Sequence, residues 1–193
     1  MIQILKNKKG FTLIELVVVT VIIGVLSAIA IPNFMSWRTN MYVKSAARDL
    51  YSSMQEARIT AIKANSSTAI VFDTTNNRYY LCDDPGTDSL WNGINDNTGT
   101  GDNNIIRTYD LSSYKSSVQY GHGNIPANNS VTGGAFPAGD ISYTNHVLTI
   151  NSRGIGNGGY VYIENQDGDR IYAAGTQTSG LVKLFKWDGG SWK

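Results

Sequence analysis

Few residues in this chain have the types and spacing that enzymatic or metal chemistry needs. The two histidines, His122 and His146, stand in separate stretches and match no Ser/His/Asp or metal-ligand spacing. The single cysteine, Cys82, can form no internal disulfide and no CxxC pair. We expect it to be a half-buried strand residue that acts as a small apolar side chain, with a disulfide between subunits as the alternative. The sequence therefore predicts a protein that is not an enzyme, with no catalytic residues, no metal site and no cofactor.

Two acidic clusters, residues 83–88 and 167–169, carry the hard oxygen ligands that calcium prefers. Neither cluster has the full twelve-residue loop with its closing Glu. The second cluster contains Asp167-Gly168, a dipeptide typical of tight hairpin turns. We therefore expect both clusters to be solvated turns.

The C-terminal residues Lys183, Lys186 and Lys193 alternate with Trp187 and Trp192, as on a surface that binds single-stranded nucleic acid. The chain as a whole has a net charge of only +1. A near-neutral protein has no general attraction to nucleic acid, so any such binding must be local. We expect aromatic strand residues that close a β core, and keep DNA binding as the alternative.

The N-terminus has the clearest pattern in the chain. Residues 11–31 read FTLIELVVVTVIIGVLSAIAI, with Glu15 as the only ionisable side chain. At about 1.5 Å per residue, a helix of this length crosses a hydrocarbon core of roughly 30 Å. Lys6, Lys8 and Lys9 precede it. By the positive-inside rule, this predicts a single-pass protein with its N-terminus in the cytoplasm and the rest outside.

An ordinary secretory signal is the competing interpretation, because Ala28-Ile29-Ala30 imitates its cleavage site. That reading would leave an exported hydrolase for which the sequence offers no catalytic residues. Glu15 argues against it, since a carboxylate in the apolar core weakens insertion and an ordinary signal gains nothing from it.

The residues Lys8-Lys9-Gly10-Phe11-Thr12-Leu13-Ile14-Glu15 resemble the processing site of type IV prepilins and type II secretion pseudopilins. The resemblance implies that a prepilin peptidase/N-methyltransferase cuts after Gly10 and methylates the new terminal Phe11. It continues through Gly24 and Pro32, at offsets where such helices loosen in the assembled filament. It also implies the inner-membrane assembly platform and other pilins or pseudopilins as partners.

Glu15 has a physical role under this interpretation. Cleavage creates an α-amino group on Phe11, which is largely cationic at neutral pH. The Glu15 carboxylate then has a partner in the terminus of a neighbouring subunit, and pairing offsets the cost of burying either charge. We therefore expect that Glu15 takes part in filament assembly and that assembly requires cleavage.

The helix continues past the apolar run. Apolar residues recur at steps of three and four: Val43, Ala46, Ala47, Leu50, Met54, Ala57 and Ala61. The pattern stops near residues 65–67, which predicts one helix over 11–64. The predicted layout is a leader over 1–10, a membrane-spanning and filament-core half-helix over 11–35, an amphipathic half-helix over 36–65 and a β-rich globular domain over 66–193.

Alternating apolar residues and Gly-rich turns predict strands in the C-terminal domain. A hairpin is predicted from 67–73 and 78–82, and further strands at 147–150, 160–163, 170–174 and 181–187. Residues 84–104 and 121–140 are polar and lack periodicity, so we expect long loops there, and residues 154–159 are predicted to form a turn. The fold class is α+β, a long helix packed on an antiparallel β domain.

The C-terminal segments Leu148–Gly154, Tyr160–Ile163 and Lys183–Gly189 are similar to those of H-type minor pseudopilins and related minor type IV pilins. The resemblance implies the pilin fold. It further implies a minor subunit of a type II secretion pseudopilus or type IV pilus, at the tip or in the initiation complex. The implied location is the bacterial inner membrane with the C-terminal domain in the periplasm, then the filament. The alternative is a DNA-binding minor pilin of a competence system.

Overall fold

The computed structural model describes residues 10–92, 103–114 and 118–193. The predicted leader, including Lys6, Lys8 and Lys9, therefore lies outside the described residues except for Gly10. The chain divides into two compact units, Met1–Arg38 and Thr39–Lys193. We describe each by itself.

One α-helix, α1, runs over Leu13–Ala64 and contributes to both units. Its start and end agree with the predicted helix to within two residues. In the first unit its large apolar side chains are exposed, from 42% at Val17 to 82% at Leu13. An 18-residue stretch of this helix is long and apolar enough to cross a membrane, by length and composition. No large apolar side chain described between Leu13 and Arg38 is buried.

The second half of α1 carries the predicted apolar stripe. Val43, Ala46, Ala47, Leu50, Met54, Ala57 and Ala61 are all at most 1% exposed. Their spacing places them on one helix face, which packs into the core of the second unit. Asn65 then takes a left-handed φ of 51° and its N–H bonds Ile62 O, which ends the helix at the predicted stop.

The first sheet has strand order β3-β2-β1-β5, and every neighbouring pair is antiparallel. Its strands are β1 (Thr68–Asp73), β2 (Arg78–Asp84), β3 (Asn104–Asp110) and, later in the chain, β5 (Val147–Ile150). Alternate residues face opposite sides. Ile70 and Leu81 join the core shared with α1, whereas Ala69 and Cys82 belong to a second cluster on the outer face.

The second sheet has strand order β4-β6-β7-β8, again antiparallel throughout. Its strands are β4 (Val118–Tyr120), β6 (Gly159–Asn165), β7 (Ile171–Thr176) and β8 (Val182–Lys186). Val161, Ile163 and Ala174 face the same core as the helix stripe. Both sheets thus cover one helix face, and the predicted α+β class is confirmed.

Two strands, β3 and β4, were not predicted. Ile105 and Ile106 of β3 are both partly exposed, so the strand has no alternation of buried and exposed residues. β4 has only three residues, too few for a periodic signal. The predicted strands at 147–150, 160–163, 170–174 and 181–187 are confirmed as β5 to β8, with ends displaced by up to two residues.

The two predicted loops are described in part. Residues 85–92 form turns, while 93–102 lie outside the described residues. Between Gly121 and Pro137 the backbone forms turns and one isolated bridge, Asn129 with Gly134. This segment crosses the outer face of the second sheet, where Trp192 Nε1 donates to Asn129 O at 2.7 Å and Val131 N donates to Tyr162 Oη at 3.0 Å.

Candidate functional site

The predicted cleavage junction lies at the exposed start of α1. Phe11 is 88% exposed, and Gly10 is exposed too. A Cβ atom added to Gly10 would meet nothing within 4 Å, and Gly10 does not need a positive φ. The described part of the chain therefore gives no intramolecular reason for glycine at this position. The role of Gly10 in cleavage stays a prediction.

Thr12 and Glu15 form a reciprocal cap at the N-terminus of α1. The Thr12 N–H and hydroxyl donate to Glu15 Oε2 at 2.8 and 2.9 Å, and the Glu15 N–H donates to Thr12 Oγ1 at 3.3 Å. This is a capping box, in which N-cap and third-residue side chains satisfy N–H groups that the helix leaves unpaired. Glu15 is thus held by its own helix as soon as the helix forms.

The cap uses one carboxylate oxygen of Glu15. Both Thr12 bonds end on Oε2. Within the part of the chain that the structure describes, no group hydrogen-bonds Oε1. An ionised carboxylate accepts several hydrogen bonds, so a cation from outside the chain can bind Oε1 without breaking the cap. Sequence reasoning missed Thr12, although Thr-x-x-Glu before an apolar run is the signature of this motif.

Gly24 and Pro32 both lie inside α1. A Cβ atom on Gly24 would meet nothing within 4 Å, so this glycine is not required by contacts among the described residues. Glycine costs a helix interior about 1 kcal/mol relative to alanine, and small residues let helices approach closely. Pro32 lacks the N–H that would bond the preceding turn. Their roles in packing and in bending the axis stay predictions.

The three lysines proposed for nucleic-acid contact do not share one surface. Lys183 and Lys186 are three residues apart on β8, and alternate strand residues project from opposite faces. Lys193 forms an ion pair with Asp188. That pairing, with the Ser191 and Gly190 N–H groups, holds the pKa of Asp188 well below its usual value.

Trp187 and Trp192 pack against each other at 5.3 Å between ring centroids, and Trp192 also contacts Tyr162. These contacts agree with aromatic residues that close the outer side of the second sheet. The pair belongs to the C-terminal hairpin, in which the Lys186 and Lys193 backbones exchange two hydrogen bonds. The spacing of the tryptophans is therefore accounted for by the fold.

The two histidines approach the same turn, a relation the sequence did not reveal. His122 Nδ1 pairs with Asp140 Oδ1, and the His122 ring stacks on Phe136 at 4.0 Å. A Cβ on Gly139 would lie 3.4 Å from the His146 ring. Among the described residues, no three His, Cys, Asp or Glu side chains are arranged to hold a metal ion.

The side chains of the two acidic clusters accept hydrogen bonds from residues of their own turns. Asp84 Oδ1 accepts from Gly86 N and Asp88 Oδ1 from Leu90 N, each at 2.8 Å. In the second cluster, Asn165 Nδ2 donates to Asp169 Oδ1 at 2.6 Å. Cys82 is completely buried, and this burial raises the pKa of its thiol to about 12.

Comparison with known sequences matches two regions of the chain. Residues 5–31 match the prokaryotic N-terminal methylation motif. Residues 46–180 match the family described as type II transport protein GspH, which covers well over half of the chain. The chain belongs to the GspH family. It is therefore a type IV pilin-like protein of the structural pseudopilin class, and the recognised resemblance is confirmed.

This chain is also similar to pilins over short stretches. It is 43% identical over 58 residues to a fimbrial protein of Pseudomonas aeruginosa, covering 30% of this chain and 37% of that one. It is 50% identical over 44 residues to the type IV major pilin protein PilA of Myxococcus xanthus, covering 23% and 20%. The chain thus matches less than two fifths of the length of each of these relatives.

Solved structures similar to this GspH family member include the minor pseudopilin EpsH from the type 2 secretion system of Vibrio cholerae. One EpsH structure superposes with a TM-score of 0.49 at 14% identity, covering 75% of this chain and 96% of that one. A second gives a TM-score of 0.46 at 15% identity, covering 75% and 94%.

Proposed function

We propose that this chain is a minor pseudopilin, cut after Gly10 by a prepilin peptidase and assembled into a type II secretion pseudopilus or a type IV pilus. Its position in the filament is near the tip or in the initiation complex. The observation that carries the proposal is the joining, in one chain, of the methylation motif over 5–31 and the GspH domain over 46–180. The first match supports processing of the N-terminus, and the second supports a pseudopilin-type globular domain.

Membrane insertion precedes processing in this proposal. The large apolar side chains described between Leu13 and Trp37 are all exposed. A hydrocarbon solvent removes that surface from water at a gain of about 25 cal/mol per Å². The three leader lysines keep the N-terminus in the cytoplasm of a bacterial inner membrane, and the second unit lies in the periplasm.

Cleavage changes the charge at the start of the helix. Hydrolysis of the Gly10–Phe11 bond removes three lysines and leaves a cationic α-amino group on Phe11. The peptidase then methylates this amine, which keeps its charge. With the leader gone, 13 of the 16 basic residues remain against 15 acidic ones, so the side chains of the mature protein sum to −2.

Assembly uses Glu15 in its capped conformation. Thr12 holds Oε2, and Oε1 accepts the methylated amine of a neighbouring subunit's Phe11. In a low-dielectric bundle this pairing offsets the cost of burying either charge. The inner-membrane assembly platform supplies the site of assembly, and other pilins or pseudopilins are the partners.

Filament incorporation of the Glu15→Ala chain tests this assignment. We expect normal cleavage after Gly10, because the peptide bond is unchanged, but little recovery in sheared filaments. The matched control is Glu56→Ala, which removes a carboxylate from the second half of the same helix. Glu56 contacts Arg107 at 3.1 Å within the body, so its loss should leave incorporation unchanged. Normal recovery of Glu15→Ala would refute this role.

DNA binding remains the second prediction from the sequence, and no structural observation favours it. The opposite strand faces of Lys183 and Lys186 and the ion pair of Lys193 argue against a continuous basic surface. A salt-dependent mobility shift of single-stranded DNA, lost when the three lysines are changed, would restore it.

A further inference from the structure

A compact aromatic and cationic group follows the apolar run of α1 within the first unit. The rings of Phe34 and Trp37 stack at 5.9 Å between centroids, and the Arg38 guanidinium lies 6.0 Å from the centre of the Phe34 ring. Phe34 and Trp37 are 55% and 56% exposed, so more than half of each side chain is uncovered. We call Phe34, Trp37 and Arg38 the interfacial cluster.

The position of the interfacial cluster along the helix fits the edge of a bilayer. From Leu13 to Trp37 the helix rises roughly 36 Å at 1.5 Å per residue. The hydrocarbon core is about 30 Å thick, and the head-group layers add several ångströms on each side. A helix that starts at the cytoplasmic edge of the core therefore brings Trp37 and Arg38 to the opposite head-group layer.

The chemistry of the cluster also fits that layer. Tryptophan is enriched at membrane–water interfaces because its ring is apolar and its N–H is polar. A guanidinium binds phosphate through paired N–H donors. In the sequence, the charged residues between Glu15 and Asp49 are Arg38, Lys44 and Arg48, all basic. No acidic residue lies near Arg38 in sequence to repel an anionic head group.

We propose that the interfacial cluster binds anionic phospholipid head groups in the outer leaflet of the inner membrane and sets the depth of α1. The Trp37 ring lies at the head-group level, and Arg38 contacts lipid phosphate. This inference rests on the membrane insertion proposed above. The contact between Arg38 and lipid phosphate must then break when the subunit leaves the bilayer for the filament.

Depth-dependent fluorescence quenching tests the proposal on the full chain. The protein is reconstituted in vesicles of phosphatidylcholine alone or mixed with phosphatidylglycerol, with lipids brominated near the head group or near the chain end. The Trp37 signal is the difference between the unaltered chain and Trp37→Phe. Trp187→Phe, in the C-terminal hairpin, is the matched control and should not change the quenching by either lipid.

We expect Trp37→Phe to remove most of the quenching by bromines near the head group and little of that by bromines at the chain end. The head-group quenching should be stronger in the phosphatidylglycerol vesicles, and Arg38→Gln should abolish that difference between lipids. Stronger quenching from the chain end, no quenching, or equal quenching in both vesicle types would overturn the proposal. A ring covered by a second subunit gives the unquenched result.

Alkaline extraction of the same vesicles separates the two proposals. Release of the chain would contradict membrane insertion and hence the proposed function. Retention of the chain combined with an unquenched Trp37 would contradict the interfacial cluster alone.

Discussion

The two halves of α1 share one secondary structure but differ in where their apolar side chains lie. In the first half, large apolar residues such as Leu26 at 61% and Ile29 at 64% are exposed. In the second half, the buried face is built largely from small residues, and Leu50 and Ala57 are completely covered. Helix propensity does not distinguish these halves, because both form helix. The halves differ in burial: the two sheets bury one face of the second half, whereas the apolar side chains of the first half are exposed.

The comparison shows where the partners of each residue are found. The apolar stripe in the second half of α1 is explained by contacts within the chain, since two sheets cover that helix face. Among the described residues, the first half has capping contacts at Thr12 and Glu15 and an aromatic contact at Phe34, while its large apolar side chains are exposed. The proposed function assigns the cover of these side chains to a membrane and to neighbouring subunits.

The largest expected effect contrasts Leu50→Ala with Leu26→Ala. Leu50 is completely buried, so its truncation leaves a cavity and should lower the free energy of unfolding of the body by about 2–5 kcal/mol. Leu26 is exposed, and its truncation should change that free energy by less than about 0.5 kcal/mol. Denaturant titration of both variants in detergent checks this, and equal losses would erase the distinction between the halves.

A second contrast sharpens the account of the body through Gly180→Ala and Gly189→Ala. Both glycines have positive φ, 77° and 99°, so both variants are strained. A Cβ on Gly180 would lie 1.8 Å from Gly154 O, whereas one on Gly189 would meet nothing within 4 Å. The Gly180 variant should therefore lose roughly 1–3 kcal/mol more stability. Melting temperatures measure the difference, and a Gly189 variant of equal instability would contradict the contact.

Thr12→Val probes the capping contact between Thr12 and Glu15 at the start of α1. Removal of the cap hydroxyl should destabilise the first turn by about 0.5–2 kcal/mol. Amide exchange at Leu13 to Leu16 in detergent should become faster. Thr20→Val is the control, because the Thr20 hydroxyl donates to Val17 O further along the helix, and it should leave these amides unchanged.

A pH-dependent effect concerns Cys82 in the outer cluster of the first sheet. Burial raises its pKa from 9.0 to about 12, so the folded state retains a proton that the unfolded state loses above pH 9. The contribution of this thiol to stability is therefore constant below pH 9 and declines as the pH rises through 12. Between pH 9 and 12, Cys82→Ala should lose less free energy of unfolding than the unaltered chain. Urea titrations at several pH values measure this, and identical pH profiles of the two chains would contradict it.

Sequence patterns predicted the parts of the fold that have strong periodicity. The stripe from Val43 to Ala61 predicted the buried helix face, and Asn65 predicted the helix end. Both features depend on residues that are close together in sequence. β3 was missed because Ile105 and Ile106 are exposed on both faces of an edge strand, so burial leaves no pattern in the sequence. The approach of His122 and His146 to one turn was missed because it depends on tertiary contacts.

The candidate site was predictable for a different reason. Gly10, Phe11 and Glu15 were identified by resemblance to a processing motif, and the methylation motif over 5–31 covers all three. The structure adds the capping box, which assigns a partner to Glu15 Oε2 that charge arguments alone did not reveal. Cleavage and assembly involve molecules outside the chain, so the folded chain alone does not predict them.

The mature N-terminus, determined by mass spectrometry of the protein isolated from membranes of its own host, tests the central claim most directly. The proposal predicts a chain that begins with N-methylated Phe11 and has lost residues 1–10. A chain cut after Ala30, or one that keeps its leader from Met1, would contradict it.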